Sequence, residues 1–297
     1  MLLQQIINGL TLGGVYALIA LGYTMVYGIL ELINFAHGEI YMLGAYLGII
    51  IMGVMSPLGI PLPISLLLSI IISLIICSAY GFTIEKIAYR PLRGAPRLSP
   101  LISAIGVSIF LQNYVMLTQG ATDKVFPITF SKSGFSLIGA QITYLQASII
   151  MVSAVIMLGL NIFISRAKQG KAMRAVAQDI KMASLLGIDV NSIISLAFII
   201  GSALAAVAGV MVAMYYGLVN YSIGYIAGIK AFTAAVLGGI GSIQGAMAGG
   251  ILLGIAESLG SAYISSEYKD AYAFILLIVI LIVRPAGLFG SAEREKV

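Results

Sequence analysis

Residues 62–84 read LPISLLLSIIISLIICSAYGFTI, 23 consecutive positions without Asp, Glu, Lys or Arg. A helix that crosses the hydrocarbon core of a bilayer needs about 20 apolar residues. A membrane strand alternates polar and apolar side chains, and this run does not. The same reading extends in both directions. Charge-free intervals cover 1–30, 40–84, 98–122, 133–165, 190–229, 231–256 and 271–283. Of all 297 residues, 60% are hydrophobic and 9% charged, with a mean hydropathy of +1.07. A soluble domain carries roughly 25% charged residues. So few charges cannot coat a water-facing surface, which excludes a soluble globular enzyme. Disorder is excluded as well, because it needs many charges and few apolar groups. The fold class is an all-α polytopic membrane protein.

Lys and Arg set the orientation. Three segments hold 12 of the 16: Lys86, Arg90, Arg93 and Arg97; then Arg166, Lys168, Lys171, Arg174 and Lys181; then Arg284, Arg294 and Lys296. Basic loops face the cytoplasm, so the net charge of +5 and pI near 9.2 are a matter of topology. No basic stripe with interleaved aromatics points to nucleic acid. Spans are expected at 6–30, 38–56, 62–84, 98–120, 142–165, 191–216 and 268–284. The stretch 225–262 returns to the side it came from, as two short spans or a re-entrant hairpin. Its turn falls at Gly238, Gly239, Gly241 and Ser242. The total is eight or nine transmembrane segments, some discontinuous or re-entrant. The N-terminus is expected outside and the C-terminus in the cytoplasm. Residues 1–297 form one transmembrane domain, with an outer loop at 121–141 (Asp123, Lys124, Pro127, Lys132) and a cytoplasmic loop at about 166–190. No basic region precedes the first apolar run, so a cleaved signal peptide is not expected. Cys77, within an apolar run, reads as packing.

Little in the chain can carry enzyme chemistry. The nearest approach to a phosphate-binding loop, at Gly170-Lys171, continues with Ala172 instead of Ser or Thr. There is one His and no Cys/His cluster at metal spacing, so no metal site and no catalytic residue is expected. Transport is the natural alternative, and two stretches point to a path. The first is Glu31-Leu-Ile-Asn34-Phe-Ala-His37-Gly38-Glu39, a polar island between apolar runs. It reads either as a short cytoplasmic loop or as the unwound break of a discontinuous helix, with Gly38 easing the backbone past the break. The second is Gly238-Gly239-Ile-Gly241-Ser242. Adjacent glycines share no helix face, so a break fits better than packing. Gly241, Gly245 and Gly249, spaced by four, read as a close-packing face. One interruption in each half of a membrane chain marks a transport site.

The cytoplasmic loop has helical periodicity of its own. Lys171, Arg174, Gln178 and Lys181 recur at 3, 4, 3 and form one polar stripe, with Gly187 as the stop. The stripe reads either as an interfacial helix on anionic lipid or as a docking surface for a cytoplasmic partner. Lys230 falls near the outer end of its segment, where it can snorkel; Glu257 can pair with it or with the outer loop. Tyr215, Tyr216, Tyr221 and Tyr225 read as an interface belt.

These stretches resemble the LivH-type permease of the branched-chain (hydrophobic) amino-acid ABC importers. The likeness runs through residues 7–28, Ile33-Asn34-Phe35-Ala36-His37-Gly38-Glu39, Gly44-Ala45-Tyr46, Tyr89-Arg90-Pro91-Leu92-Arg93, Arg174-Ala-Val-Ala-Gln-Asp179 and residues 235–242. It implies a permease paired with a sister LivM-type permease, two cytoplasmic ATPase subunits and a periplasmic binding protein, in a bacterial inner membrane. It also implies that ATP and Mg are handled by the partner ATPases, with no cofactor on this chain. The importer coupling motif E-A-A-x-x-x-G falls on Lys181-Met182-Ala183-Ser-Leu-Leu-Gly187, where one alanine and the glycine match. Asn34, His37, Gly38, Glu39, Gly238, Gly239, Gly241 and Ser242 are then expected to line or hinge the path. Lys171, Arg174, Gln178, Lys181 and Gly187 are expected to meet the ATPases. The rival readings are a stand-alone proton-coupled transporter using Glu39 or Glu257, and the same importer architecture serving urea or short amides.

Overall fold

The computed structural model describes residues 1–96, 98–128, 133–137 and 139–290. Arg97, Lys132, Arg294 and Lys296 of the charge pattern lie outside these. Eleven α-helices follow one another among the described residues: α1 (Leu2–Leu30), α2 (His37–Met55), α3 (Leu62–Ile84), α4 (Leu98–Gln119), α5 (Tyr144–Arg166), α6 (Lys168–Gln178), α7 (Ile180–Leu185), α8 (Val190–Tyr216), α9 (Ile223–Gly238), α10 (Ile243–Tyr263) and α11 (Lys269–Val283). Seven are long and apolar enough to span a bilayer: α1 to α5, α8 and α10. At 1.5 Å per residue, the 16 residues of α9 and the 15 of α11 fall short of a 30 Å core. The expected span at 268–284 is therefore a short helix. The stretch 225–262 resolves into α9 and α10, joined by a turn at 239–242.

α1 is the central post. Its interior residues from Thr11 to Val26 are all buried, and α10, α8, α9 and α5 pack around it. In lipid, apolar surface gives no drive for helices to associate, so small residues that let backbones approach decide the contacts. A side chain at Gly13 would come within 2.8 Å of Ile251 Cα, and one at Gly9 within 2.6 Å of Ile255 Cα. On α3 the buried residues Ser65, Ser69, Ser73, Cys77 and Gly81 repeat every fourth position, one small-residue stripe against α8 and α2. The Cys77 thiol lies in that stripe and donates to the Ile40 carbonyl at 3.7 Å. The outward faces of α3, α4 and α5 stay apolar and exposed, as lipid-facing helices must.

The outer loop carries short strands: β1 (Lys124–Val125) pairs with β4 (Leu218–Val219), and β2 (Gly134–Leu137) with β3 (Ala140–Thr143), both antiparallel. These ladders satisfy backbone groups held close to the membrane. The stripe Lys171, Arg174, Gln178, Lys181 is not one helix face, because Asp179 is extended (φ −159°, ψ 109°) and its carboxylate accepts from Lys181 N (2.8 Å) and Met182 N (2.9 Å). It caps α7 instead of continuing α6. Gly241 is not on a packing face. It sits in the turn at φ +92°, while Gly245 and Gly249 are the pair that meets α9.

Candidate functional site

α1 ends at Glu31, which adopts the left-handed conformation (φ 52°) with its N–H on the Tyr27 carbonyl. Residues 31–36 are non-helical. Asn34 organises this break: its Oδ1 accepts from Ala36 N (3.1 Å) and Tyr89 OH (2.8 Å), and its carbonyl accepts from His37 N (3.0 Å). α2 then begins deep in the protein. His37 lies against Gly22 of α1 and Gly201 of α8, neither of them near the end of its helix. The polar island is therefore a break turned inward, not a loop at the surface.

Gly38 does not ease the backbone past the break, because it is already helical. Its missing side chain admits α9, with Gly228 Cα only 2.9 Å from where a Cβ would stand. His37 is buried, edge-on to Tyr23 (centroids 4.8 Å, 70°), and its Nε2 has no partner among the described residues. Glu39 is buried too; its Oε1 accepts from Ser108 Oγ at 3.1 Å. Ser108 and Gly224 line a cleft of about 270 Å³ between α4 and α9, with Tyr23 and Phe232 on its walls.

Glu85 forms a second buried polar centre that sequence reasoning missed. It is fully buried and binds Arg90 (Nη2 to Oε2, 2.9 Å), Arg93 and the hydroxyl of Ser195 (2.8 Å). The signal was present: one carboxylate closing a long apolar run, with Arg90 and Arg93 one and two turns on. A carboxylate taken from water needs such partners. The cluster ties α3 to α8 just below the Tyr89–Asn34 bond.

The Gly238-Gly239-Ile-Gly241-Ser242 break is a separate feature. Gly239 (φ +103°) ends α9, and Ser242 Oγ caps α10 by accepting from Gly245 N at 3.1 Å. The chain after α11 covers this turn. Leu288 N and Phe289 N donate to the carbonyls of Leu237 and Gly238, both at 2.9 Å, which satisfies the open C-terminal end of α9. The two breaks have different neighbours: Asn34 of the first bonds Tyr89, whereas the second meets residues 286–290 and, at Gly241, Gly28 of α1.

Lys230 does not snorkel to the surface. It is buried and bridges Glu257 of α10 (2.9 Å) and Asp270 of α11 (2.6 Å). Lys269 completes the group at 3.3 Å from Glu257, and its ammonium also reaches Tyr216 OH at 2.8 Å.

The helix pair α6–α7 is amphipathic. Met173, Val176 and Ala183 are buried, whereas Lys171, Arg174, Gln178 and Lys181 are exposed. Gly187 (φ +80°) closes α7 in a double-bonded turn, with Gly187 N on Ser184 O (3.0 Å) and Ile188 N on Ala183 O (3.1 Å). That turn projects Leu185 and Leu186, 82% and 79% exposed, beside Met182.

Spanning helices around a buried polar break, with an amphipathic helix pair on one loop, define a multi-pass membrane transport subunit. The chain belongs to the family described as "Branched-chain amino acid transport system / permease component", whose model matches residues 5–281. It is 54% identical to the high-affinity branched-chain amino acid transport system permease protein BraD of Pseudomonas aeruginosa, over 99% of this chain and 98% of that one. It is 55% identical to the corresponding protein LivH of Salmonella typhimurium, over 99% of this chain and 97% of that one. The probable branched-chain amino acid transport permease protein LivH of Methanocaldococcus jannaschii is 27% identical, over 92% and 88%.

Proposed function

We propose that this chain is the permease subunit of an ATP-driven importer of branched-chain amino acids in a bacterial inner membrane. Its partners are a sister LivM-type permease, two cytoplasmic ATPases and a periplasmic binding protein. Its N-terminus lies outside and its C-terminus inside. The observation that carries this reading is the likeness over nearly the whole chain to permeases named for that transport. The chain itself takes no part in ATP chemistry: ATP and Mg are bound and turned over by the partner ATPases.

The mechanism is alternating access. ATPase closure pulls on α6–α7, and the 239–242 turn, where Gly239 and Gly241 hold positive φ, is the point at which α9 moves relative to α10. In this reading Asn34 of the break and His37 and Glu39 at the start of α2 lie beside the path. An aliphatic amino acid carries two opposite charges, and polar groups at helix ends and unwound backbone meet them without water.

Co-expression with the sister permease, two ATPases and binding protein tests this directly. Proteoliposomes of the purified complex should take up leucine only with ATP on the ATPase side, and a protonophore should leave uptake intact. Uptake by this chain alone, abolished by the protonophore, would overturn the proposal in favour of a proton-coupled carrier.

A further inference from the structure

Glu39 stands apart from every other buried carboxylate described. Glu85 has two arginines, and Glu257 has two lysines. Glu39 is 1% exposed and has no ion pair among the described residues. One oxygen takes the Ser108 hydroxyl; the other, Oε2, has no hydrogen-bond partner among the described residues. That oxygen faces Gly224, where a Cβ would stand 2.5 Å from it. Gly224 and Ser108 both line the 270 Å³ cleft, and the free oxygen lies directly behind them. Ser108 is also midway along α4, which sets this carboxylate at the depth where an unpaired charge is most costly.

A membrane protein keeps an ionisable group there when something pairs with it. The rest of the cleft indicates what. Phe35, Ile105, Ile109, Ile229 and Phe232 form an apolar wall, and Gln112, Tyr23 and Tyr225 add polar groups. A carboxyl oxygen behind the wall of a largely apolar space of this size suits a primary ammonium on a short aliphatic body. We infer that Glu39, held by Ser108 and given room by Gly224, is a transient binding site within the membrane for the α-ammonium of the transported aliphatic amino acid. This deepens the importer reading and rests on it for the identity of the cargo. It also distinguishes this chain's role from passive passage: the permease itself would read the amine.

Two measurements test it. In proteoliposomes of the full complex, Glu39→Gln keeps the shape and an oxygen for Ser108 while removing the charge. The expected result is leucine transported per ATP hydrolysed falling by about ten- to hundredfold, the weight of a charge-assisted hydrogen bond. A ratio within twofold of wild type overturns the inference. If that variant fails to assemble, the Glu39 protein carrying Gln112→Cys decides. Cys77, the protein's one native cysteine, is buried, so maleimide reports the cleft. Leucine and isobutylamine should slow labelling, and 4-methylpentanoate, which lacks the amine, should not. Equal protection by 4-methylpentanoate, or protection by sodium alone, overturns the inference. Failure of ATP-driven leucine uptake in the unmodified complex would instead overturn the importer reading, and isobutylamine protection would still report the amine site.

Discussion

His37 occupies the space that Gly22 leaves open: a Cβ on Gly22 would run into the imidazole, and the Gly201 carbonyl blocks retreat at 3.1 Å. The start of α2 is thus keyed to the middle of α1 by one absent side chain. Gly22→Ala forces either the imidazole or the α1–α8 contact to move. Overpacking of this kind costs about 1–3 kcal/mol. Gly28→Ala is the matched control, because its Cβ would meet nothing nearer than Gly241 Cα at 3.6 Å. Fluorescence-detected size exclusion of heated, tagged protein should show Gly22→Ala melting lower and Gly28→Ala unchanged. Equal behaviour of the two would remove the steric key.

Lys230 and Glu257 test a second kind of contact. Both side chains are buried, and the pair joins α9 to α10. Removing one partner of a buried pair strands the other, at a cost of about 3–5 kcal/mol, whereas an apolar replacement of both is far milder. Lys230→Met leaves Glu257 with Lys269 alone at 3.3 Å, so it should destabilise by less than a fully stranded charge, and adding Glu257→Met should recover part of the loss. Asp270 is 56% exposed, so water can serve it in either variant. A double variant as unstable as the sum of its singles would argue that Lys269 or Asp270, not the pair, holds these helices.

Asp189 caps α8, accepting from Ser192 N at 3.2 Å and from Ser192 Oγ at 2.6 Å. The Ser192 hydroxyl, followed by its N–H, holds the Asp189 carboxyl below its ordinary value. A carboxyl lowered in the folded state stabilises above its unfolded value, about 3.9, and the contribution fades as pH falls through the folded value. Asp189→Asn should thus melt lower than wild type at pH 7, and the gap should narrow below about pH 4. A gap independent of pH would assign the effect to helix geometry alone.

The spans were legible because lipid enforces a simple rule: long charge-free runs become helices, as α1, α3, α4 and α8 do, whereas α10 carries Glu257 and its stretch stayed open between two spans and a hairpin. The breaks were legible too, since Asn34 and Gly238-Gly239 interrupt runs that would otherwise continue. What escaped was decided by contacts distant in sequence. Nothing local reveals that Gly38 faces Gly228, that Glu39 reaches Ser108 across 69 positions, or that Leu288 caps α9. The error in the cytoplasmic loop was different in kind. Asp179 is a cap residue, and a regular 3, 4, 3 spacing of charges obscured its local signal.

That correction changes what the cytoplasmic loop is expected to do. With Lys181 on α7 and Arg174 on α6, the basic residues no longer form one face, and exposed charge pairs contribute only about 0–1 kcal/mol each. The feature that now stands out is apolar: Met182, Leu185 and Leu186 project around the Gly187 turn, 59% or more exposed. Buried anchors at an interface centre contribute about 2 kcal/mol or more when truncated. Leu185→Asp should therefore cost this chain its ATPase subunits in a detergent pull-down, while the second permease stays bound. Arg174→Glu with Lys181→Glu should weaken recovery of the ATPases by no more than about thirtyfold. If the charge reversals strip the ATPases and Leu185→Asp does not, the docking contact is electrostatic and the polar stripe, though split between two helices, still forms it.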